Sequence, residues 1–378
     1  MELKAKLKQI AEPFQEVKIC EDSGIVVMDE KADPQYVKKI RWWNLIEAFT
    51  VYGLILLIVW VSMLDTALWW MWAGLGALLF WTFIFSPIVH YKYEKNIYLT
   101  EQQQKRGVWF YVFECRGLGS PKRYYYSEDG EQPYLKKYFK QIIVVTLFLD
   151  ILFIGALIGY DAEVSEILGT LADNVVAKIS LEISLIALVD FLLIFLAYPV
   201  MLRLDNFNGS VKFMIAFILF TIPFILLFNL FFQLVQPGLG PILGDNPFFG
   251  FQGDTAAERL ASLNLIEVMG QWAGYVFWGW LQQMLFLGVF NTYFARGFEI
   301  REKRPRHLAC FCSGLFFGLI HLPNFWLSFF TFISGYIWAL FFMQSRNLWV
   351  MGIMHGLGGT LLNKLVPINF SVGPSEVA

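Results

Sequence analysis

Between residues 44 and 366 the chain returns again and again to apolar runs with almost no charge. A run of about 20 such residues, wound as a helix, crosses the ~30 Å hydrocarbon core of a bilayer. The runs lie near 44–64, 67–89, 142–160, 181–202, 213–235, 264–295, 307–324, 326–344 and 348–366. Of the 378 residues, 57% are hydrophobic and only 16% charged, against about 45–50% and 25% in soluble domains. A soluble domain needs a polar surface, and lipid removes that need. The expectation is an all-α polytopic membrane protein of about nine transmembrane helices. The sixth run exceeds one crossing, which predicts a helix that tilts, kinks or projects from the bilayer.

Loop charge sets an orientation independently of hydropathy. Lys38, Lys39 and Arg41 precede the first run, and the 90–141 connection carries ten Lys and Arg. Arg203 and Lys212 bracket the link between the fourth and fifth runs. Arg296, Arg301, Lys303, Arg304 and Arg306 crowd the next such link, and Arg346 lies between the last two runs. The intervening 161–180 loop has Asp161, Glu163, Glu166 and Asp173 against Lys178 alone. Every second loop is basic, which places the N-terminus in the cytoplasm. The start of the chain has no signal-peptide pattern, so the first run is expected to act as an uncleaved signal.

The organisation that follows is a cytoplasmic leader at 1–43, a transmembrane hairpin at 44–89 and a cytoplasmic insert at 90–141. A transmembrane bundle at 142–366 comes next, then a tail at 367–378. Within the leader, Gly24–Met28 reads as a short strand. Within the insert, GVWFYVFE is rich in β-formers and GLGSPKRYYYSEDGEQP in turn residues. The outer loop at 236–262 is rich in Gly, Pro and Phe. It reads either as lying along the membrane surface or as disordered. Net charge is −2, and no nucleic-acid partner is expected. Cys20, Cys115, Cys310 and Cys312 form neither a disulfide framework nor a zinc pattern.

Polar residues inside apolar runs are the candidates for chemistry. His90 and His307 stand at run ends among Lys and Arg and read as interfacial residues. His321, in FGLIHLPN, and His355, in MGIMHGLGG, lie within apolar segments. Each ring there needs a hydrogen-bond partner or a cavity. Asp150 and Asp190 lie deep in their runs, as proton-path acids or as protonated helix ties. His321 and His355 could supply two zinc ligands, but a catalytic zinc takes three from the protein and no third is evident. No metal or other cofactor is therefore expected.

The stretch 277–366 resembles the CPBP family of intramembrane proteases, which includes the type II CAAX prenyl endopeptidases and bacteriocin-processing relatives. That family shows Glu-Glu-x-x-x-Arg on one helix, Phe-x-x-x-His on the next and His-x-x-x-Asn on a later one. Here the order is WGWLQQMLFLGVF, LFFGLIHLPN and SRNLWVMGIMHGLGGTLLN. Phe317 and His321 match the second motif, His355 opens the third, and Arg346 and Trp349 match its Arg-x-x-Trp lead. The resemblance implies a CPBP-like core at 264–366 with site positions Gln282, Gln283, His321 and His355. It also implies a peptide or membrane-protein partner held among lipid.

The departures fall where chemistry should be. Gln282 and Gln283 replace the paired glutamates, Leu287 the arginine and Gly359 the asparagine. A neutral amide is no general base, and losing such a group costs about 10²–10⁴-fold in rate. Gln283 and Leu287, about one helical turn apart, also leave no stranded charge where a Glu–Arg pair would stand. The site reads as neutralised as a unit. Three functions stay open: a protease-like protein that binds a membrane-associated or prenylated-type peptide, an endopeptidase with a variant site, and a transporter or channel using Asp150 and Asp190.

The charge alternation makes a direct prediction. A cysteine placed at Ser375 should react with an impermeant reagent on intact cells; labelling only after permeabilisation would put the C-terminus inside.

Overall fold

The structure, a computed structural model, describes residues 33–63, most of 73–111, the pairs 116–117 and 120–121, position 147 and most of 207–368. Asp150, Asp190, the fourth apolar run and all of the third but position 147 lie outside the described residues, as does the Gly24–Met28 segment. What is described is mostly helical. α1 is Pro34–Met63. A π-helical turn, Trp81–Phe85, runs into α2, Ser86–Tyr98. Short helices α3, Glu101–Lys105, and α4, Gly107–Phe110, follow. A two-residue antiparallel pair, Arg116–Gly117 with Ser120–Pro121, is the one sheet among the described residues.

The C-terminal half holds α5, Phe207–Leu243, and α6, Ala256–Ala261. Next come α7, Leu265–Gln283, a π-helical stretch Met284–Asn291 and α8, Thr292–Gly297. The last three helices are α9, Lys303–Leu319, α10, Phe325–Ser345, and α11, Leu348–Leu365. Three helices among the described residues are long and apolar enough to cross a membrane, at Pro34–Trp60, Phe213–Leu243 and Phe325–Ser345.

Side chains placed for the purpose set several helix starts. The Asn347 side chain accepts from the amides of Trp349, at 2.9 Å, and Val350, at 3.4 Å, and so caps α11. Asn324 does the same for Leu327 in the first turn of α10, at 3.0 Å. Thr255 and Glu258 form a reciprocal capping box on α6. The long sixth run is a helix in three parts. The Ser313 hydroxyl donates to the Phe286 carbonyl at 3.0 Å, drawing that carbonyl toward α9 where the winding widens to π.

Apolar attraction alone cannot bring helices together in lipid, so close backbone approach has to do it. Two glycine pairs supply it. On α11, a Cβ on Gly352 would meet Trp280 at 2.8 Å, and one on Gly356 would meet the Val276 backbone at 3.0 Å. On α9, a Cβ on Gly314 would meet the Tyr336 amide nitrogen at 2.6 Å, and one on Gly318 the Ser328 carbonyl oxygen at 2.8 Å. The α7–α11 and α9–α10 contacts are accordingly the most extensive among the described elements.

α1 docks on this core through Tyr52, whose ring stacks on Phe316 at 3.8 Å and whose hydroxyl donates to the Phe316 carbonyl at 2.8 Å. Deeper polar contacts join the same parts. His90 is not the interfacial residue expected from its place at a run end; it is buried, 1% exposed. Its Nε2 lies 2.6 Å from Glu47 on α1 and its Nδ1 2.7 Å from Glu94 on α2. Arg296 on α8 donates to Glu94 at 2.5 Å, and the Tyr111 hydroxyl donates to the same carboxylate. The expected strand at GVWFYVFE is instead helical over Gly107–Phe110. There Phe110 and Tyr111 pack on Tyr91 and Leu99, and that burial outweighs local β preference.

At the other end, α5 and α6 close over the bundle. Buried Asn229 donates to the carbonyls of Ala256, at 2.8 Å, and Leu365, at 2.5 Å. The Phe325 amide donates to the Phe248 carbonyl at 2.9 Å, and Phe251 bridges Ile368. The stretch 236–262, read as a loop, is instead helical at 236–243 and 256–261, and its residues 248 and 251 are fastened to the bundle.

Removing one member of a buried charge network strands the others, typically at about 3–5 kcal/mol. Glu94→Leu should therefore lower the unfolding midpoint in detergent strongly, while Glu101→Gln on exposed α3 leaves it in place. Equal midpoints for the two variants would mean the network does not hold the hairpin to the core.

Candidate functional site

His355 sits in the middle of α11, inside the Gly352–Gly356 pair, and that pairing fixes what it meets. The missing side chain at Gly279 makes room for it: a Cβ there would lie 3.0 Å from the His355 Cβ and ring. With α7 this close, Gln283 brings its side-chain nitrogen to 2.7 Å from His355 Nδ1. The amide donates and the ring nitrogen accepts, so Nε2 remains as the ring's other hydrogen-bonding atom.

His321 lies just past the end of α9, where the chain turns toward α10. Its Nδ1 stands 2.7 Å from the Phe317 carbonyl. A carbonyl only accepts, so Nδ1 carries the hydrogen and Nε2 is left as an acceptor. Phe317 orients both rings: it meets His321 edge-on at 5.2 Å and His355 at 5.5 Å. Trp338 of α10 stacks on His355 at 5.0 Å.

A cavity of about 730 Å³ opens here between α5, α7, α10 and α11. Gln282, His321 and His355 all line it; Gln283 is behind, 1% exposed, holding His355. Phe213, Phe217, Phe224, Trp278, Phe330 and Trp338 supply much of its apolar wall. Leu287, the position of the family arginine, is buried in the hydrophobic core and not on the cavity.

Gly359 is on the cavity, and the structure gives it a reason. A Cβ there would collide with the Tyr275 ring. Tyr275 also faces His355, with ring centroids 5.7 Å apart. An aromatic ring from α7 thus occupies the space into which a side chain at 359 would grow.

Tyr275, Trp338 and Thr360 are site residues that sequence reasoning did not single out. Tyr275 had a readable signal, since it lies seven residues before Gln282 and hence on the same face of α7. Trp338 had none, because its helix is apolar all round. The π-helical winding after Gln283 was also unreadable, and it alters the simple one-turn relation of Gln283 to Leu287.

Among the described residues no group of three or more His, Cys, Asp and Glu is placed to hold a metal ion. His321 and His355 are short of the three ligands that a catalytic zinc takes.

Residues 272–360 match the family model of the type II CAAX prenyl endopeptidases, Rce1-like. The match spans about a quarter of the chain and includes Gln282, Gln283, Leu287, Phe317, His321, Trp349, His355 and Gly359. No curated protein and no solved structure matches the chain significantly.

The contact between Gly359 and Tyr275 yields a coupling test. Gly359→Asn alone should destabilise by about 1–3 kcal/mol through overpacking. With Tyr275→Ala, which makes room, most of that loss should return. Strictly additive unfolding midpoints would show that the two side chains do not share the space.

Proposed function

We propose that this chain is a CAAX-protease-like integral membrane protein that holds a membrane-associated peptide in its cavity without cutting it. The reading includes about nine spans, with the N-terminus and the 90–141 insert in the cytoplasm. The observation that carries it is the Gln283–His355 hydrogen bond of 2.7 Å. Peptide hydrolysis by this class of site needs a base to take a proton from water. An amide has no basic lone pair to offer, and among the described residues no Asp or Glu lines the cavity. Two imidazoles, each with one nitrogen already in a hydrogen bond, can orient a water or a peptide carbonyl. Neither supplies the carboxylate of the family motif.

The cavity wall supports the binding half of the reading. Aromatic rings from α5 and α10 offer an apolar bed, and the histidines and Gln282 offer polar contacts on one side. A chain with an apolar anchor and a peptide group matches both. Pockets of about 300–1,000 Å³ hold most small ligands, and this cavity falls within that range.

The purified protein should show no endopeptidase turnover on prenylated peptides, and Gln282→Glu alone should not restore it. A lone carboxylate in a desolvated site stays protonated, and the family's arginine and asparagine positions still hold Leu287 and Gly359. Restoration calls for Gln282→Glu, Gln283→Glu, Leu287→Arg and Gly359→Asn together, with Tyr275→Ala to make room. Cleavage by the unmodified protein that disappears in His321→Ala or His355→Ala would sink the non-cleaving reading and make it an endopeptidase with a variant site.

A further inference from the structure

The first turns of α1 and the last turns of α2 pack side by side and bring basic side chains together. Tyr36 on α1 and Tyr93 on α2 meet with ring centroids 6.3 Å apart. Lys39 reaches the Tyr93 ring from α1, its Nζ 5.9 Å from the ring centre, and Lys92 reaches the same ring from α2 at 5.7 Å. Lys95 lies over the neighbouring Tyr91 ring at 5.5 Å. An aromatic face attracts an ammonium group, but two ammonium groups drawn to one ring repel each other. Both Lys39 and Lys92 are exposed, and neither forms an ion pair with a described residue. Glu94, the acid beside them in sequence, is turned inward and held by His90, Arg296 and the Tyr111 hydroxyl.

The convergence is held in place from within. His90, about one helical turn from Tyr93, bonds Glu47 of α1 and Glu94 of α2 and so ties the two helices beside the lysines. Only the flexible lysine stems are left to swing. Lys39 also heads a stripe of exposed apolar side chains on α1: Trp42, Ile46, Phe49 and Leu57 follow at helical spacing. That stripe belongs to the Pro34–Trp60 segment, which is long and apolar enough to cross a membrane. Lysines and a tryptophan at the end of such a segment stand at headgroup level.

The geometry points to a site for an anionic phospholipid. Its headgroup phosphate lies between Lys39 and Lys92 at the Tyr36–Tyr93 pair, and an acyl chain runs along Trp42, Ile46 and Phe49. The phosphate supplies the negative charge that relieves the repulsion of the two ammonium groups. A free phosphate ion would use the lysines alone, whereas a phospholipid uses the apolar stripe as well. None of these residues lines the cavity, so the site stands apart from the peptide reading.

The test uses the full chain in detergent and native mass spectrometry with added dioleoylphosphatidylglycerol. One lipid adduct should saturate. Dioleoylphosphatidylcholine has the same chains and a phosphate but no net charge, and it should bind at least about tenfold more weakly. Lys39→Gln and Lys92→Gln should each weaken phosphatidylglycerol by about fivefold, and Lys39→Arg should retain it. Lys38→Gln removes an exposed charge one position away on α1 and should leave binding unchanged. Millimolar inorganic phosphate should leave the adduct in place. Diffuse attraction between a basic helix end and acidic lipid would make Lys38→Gln and Lys39→Gln equal, and that result overturns the site. Equal binding of phosphatidylcholine overturns it too. Displacement of the lipid by inorganic phosphate would mark a site for the free ion and overturn the lipid assignment.

Discussion

The close approach of α11 to α7 is the contact on which the site depends. It exists because Gly279, Gly352 and Gly356 lack side chains where the two backbones meet. Neighbouring positions carry large groups, so the glycines act as slots: Trp280 enters over Gly352, Val276 over Gly356, and His355 over Gly279. The Trp272 indole adds a hydrogen bond to the Ile353 carbonyl at 3.1 Å. A side chain at any of these slots would separate the helices and carry Gln283 out of reach of His355. The α9–α10 pair repeats the device with Gly314, Gly318 and Gly335, and it sets where Phe317 and His321 lie. Phe317 then joins the two pairs, since its ring touches both histidines.

Charge is distributed between two places in opposite ways. Around His90 the protein gathers two carboxylates, a guanidinium, an imidazole and a phenol, all buried and mutually bonded. Around His355, among the described residues, the cavity is lined by no Asp, Glu, Lys or Arg. Gln282 and Arg296 lie on one winding stretch of helices, separated by the π-helical segment. The same stretch therefore serves a buried charge network at one end and, among the described residues, a cavity lined by uncharged and imidazole side chains at the other. A bundle able to bury paired charge at α8 is not barred from doing so at α7. The uncharged side chains at 282, 283 and 287 are a property of this sequence and not a general limit of the fold.

Helix positions were legible where hydropathy alone decides. The last two apolar runs, 326–344 and 348–366, correspond to Phe325–Ser345 and Leu348–Leu365. The polar caps Asn324 and Asn347 mark their starts in the sequence as clearly as in space. GVWFYVFE misled because its aromatic and β-branched residues suit a strand and a buried helical turn equally well. What decided between them was the pocket on Tyr91 and Leu99, which comes from elsewhere in the chain. The glycine pairs were visible as G-x-x-x-G at 314–318 and 352–356, and they would have foretold the two tight helix contacts. The Glu47–His90–Glu94–Arg296 network was half legible. His90 and Glu94 are four apart and share a helix face, but nothing local couples them to Glu47 or Arg296.

Three of the four departures from the family motif are fixed by what surrounds them and not only by chemistry. Gln283 is tied to His355, Leu287 is sealed in the apolar core, and Gly359 lies beneath the Tyr275 ring. An arginine at 287 would enter that core among Trp280, Phe286 and Phe290, where a guanidinium needs a paired carboxylate. A carboxylate at 283 would face His355 with Leu287 behind it. An asparagine at 359 would have to displace Tyr275, whose ring now packs against His355. Each single reversal therefore meets a neighbour already adapted to the neutral state. At 283, 287 and 359 the neighbours as they stand suit a neutral side chain.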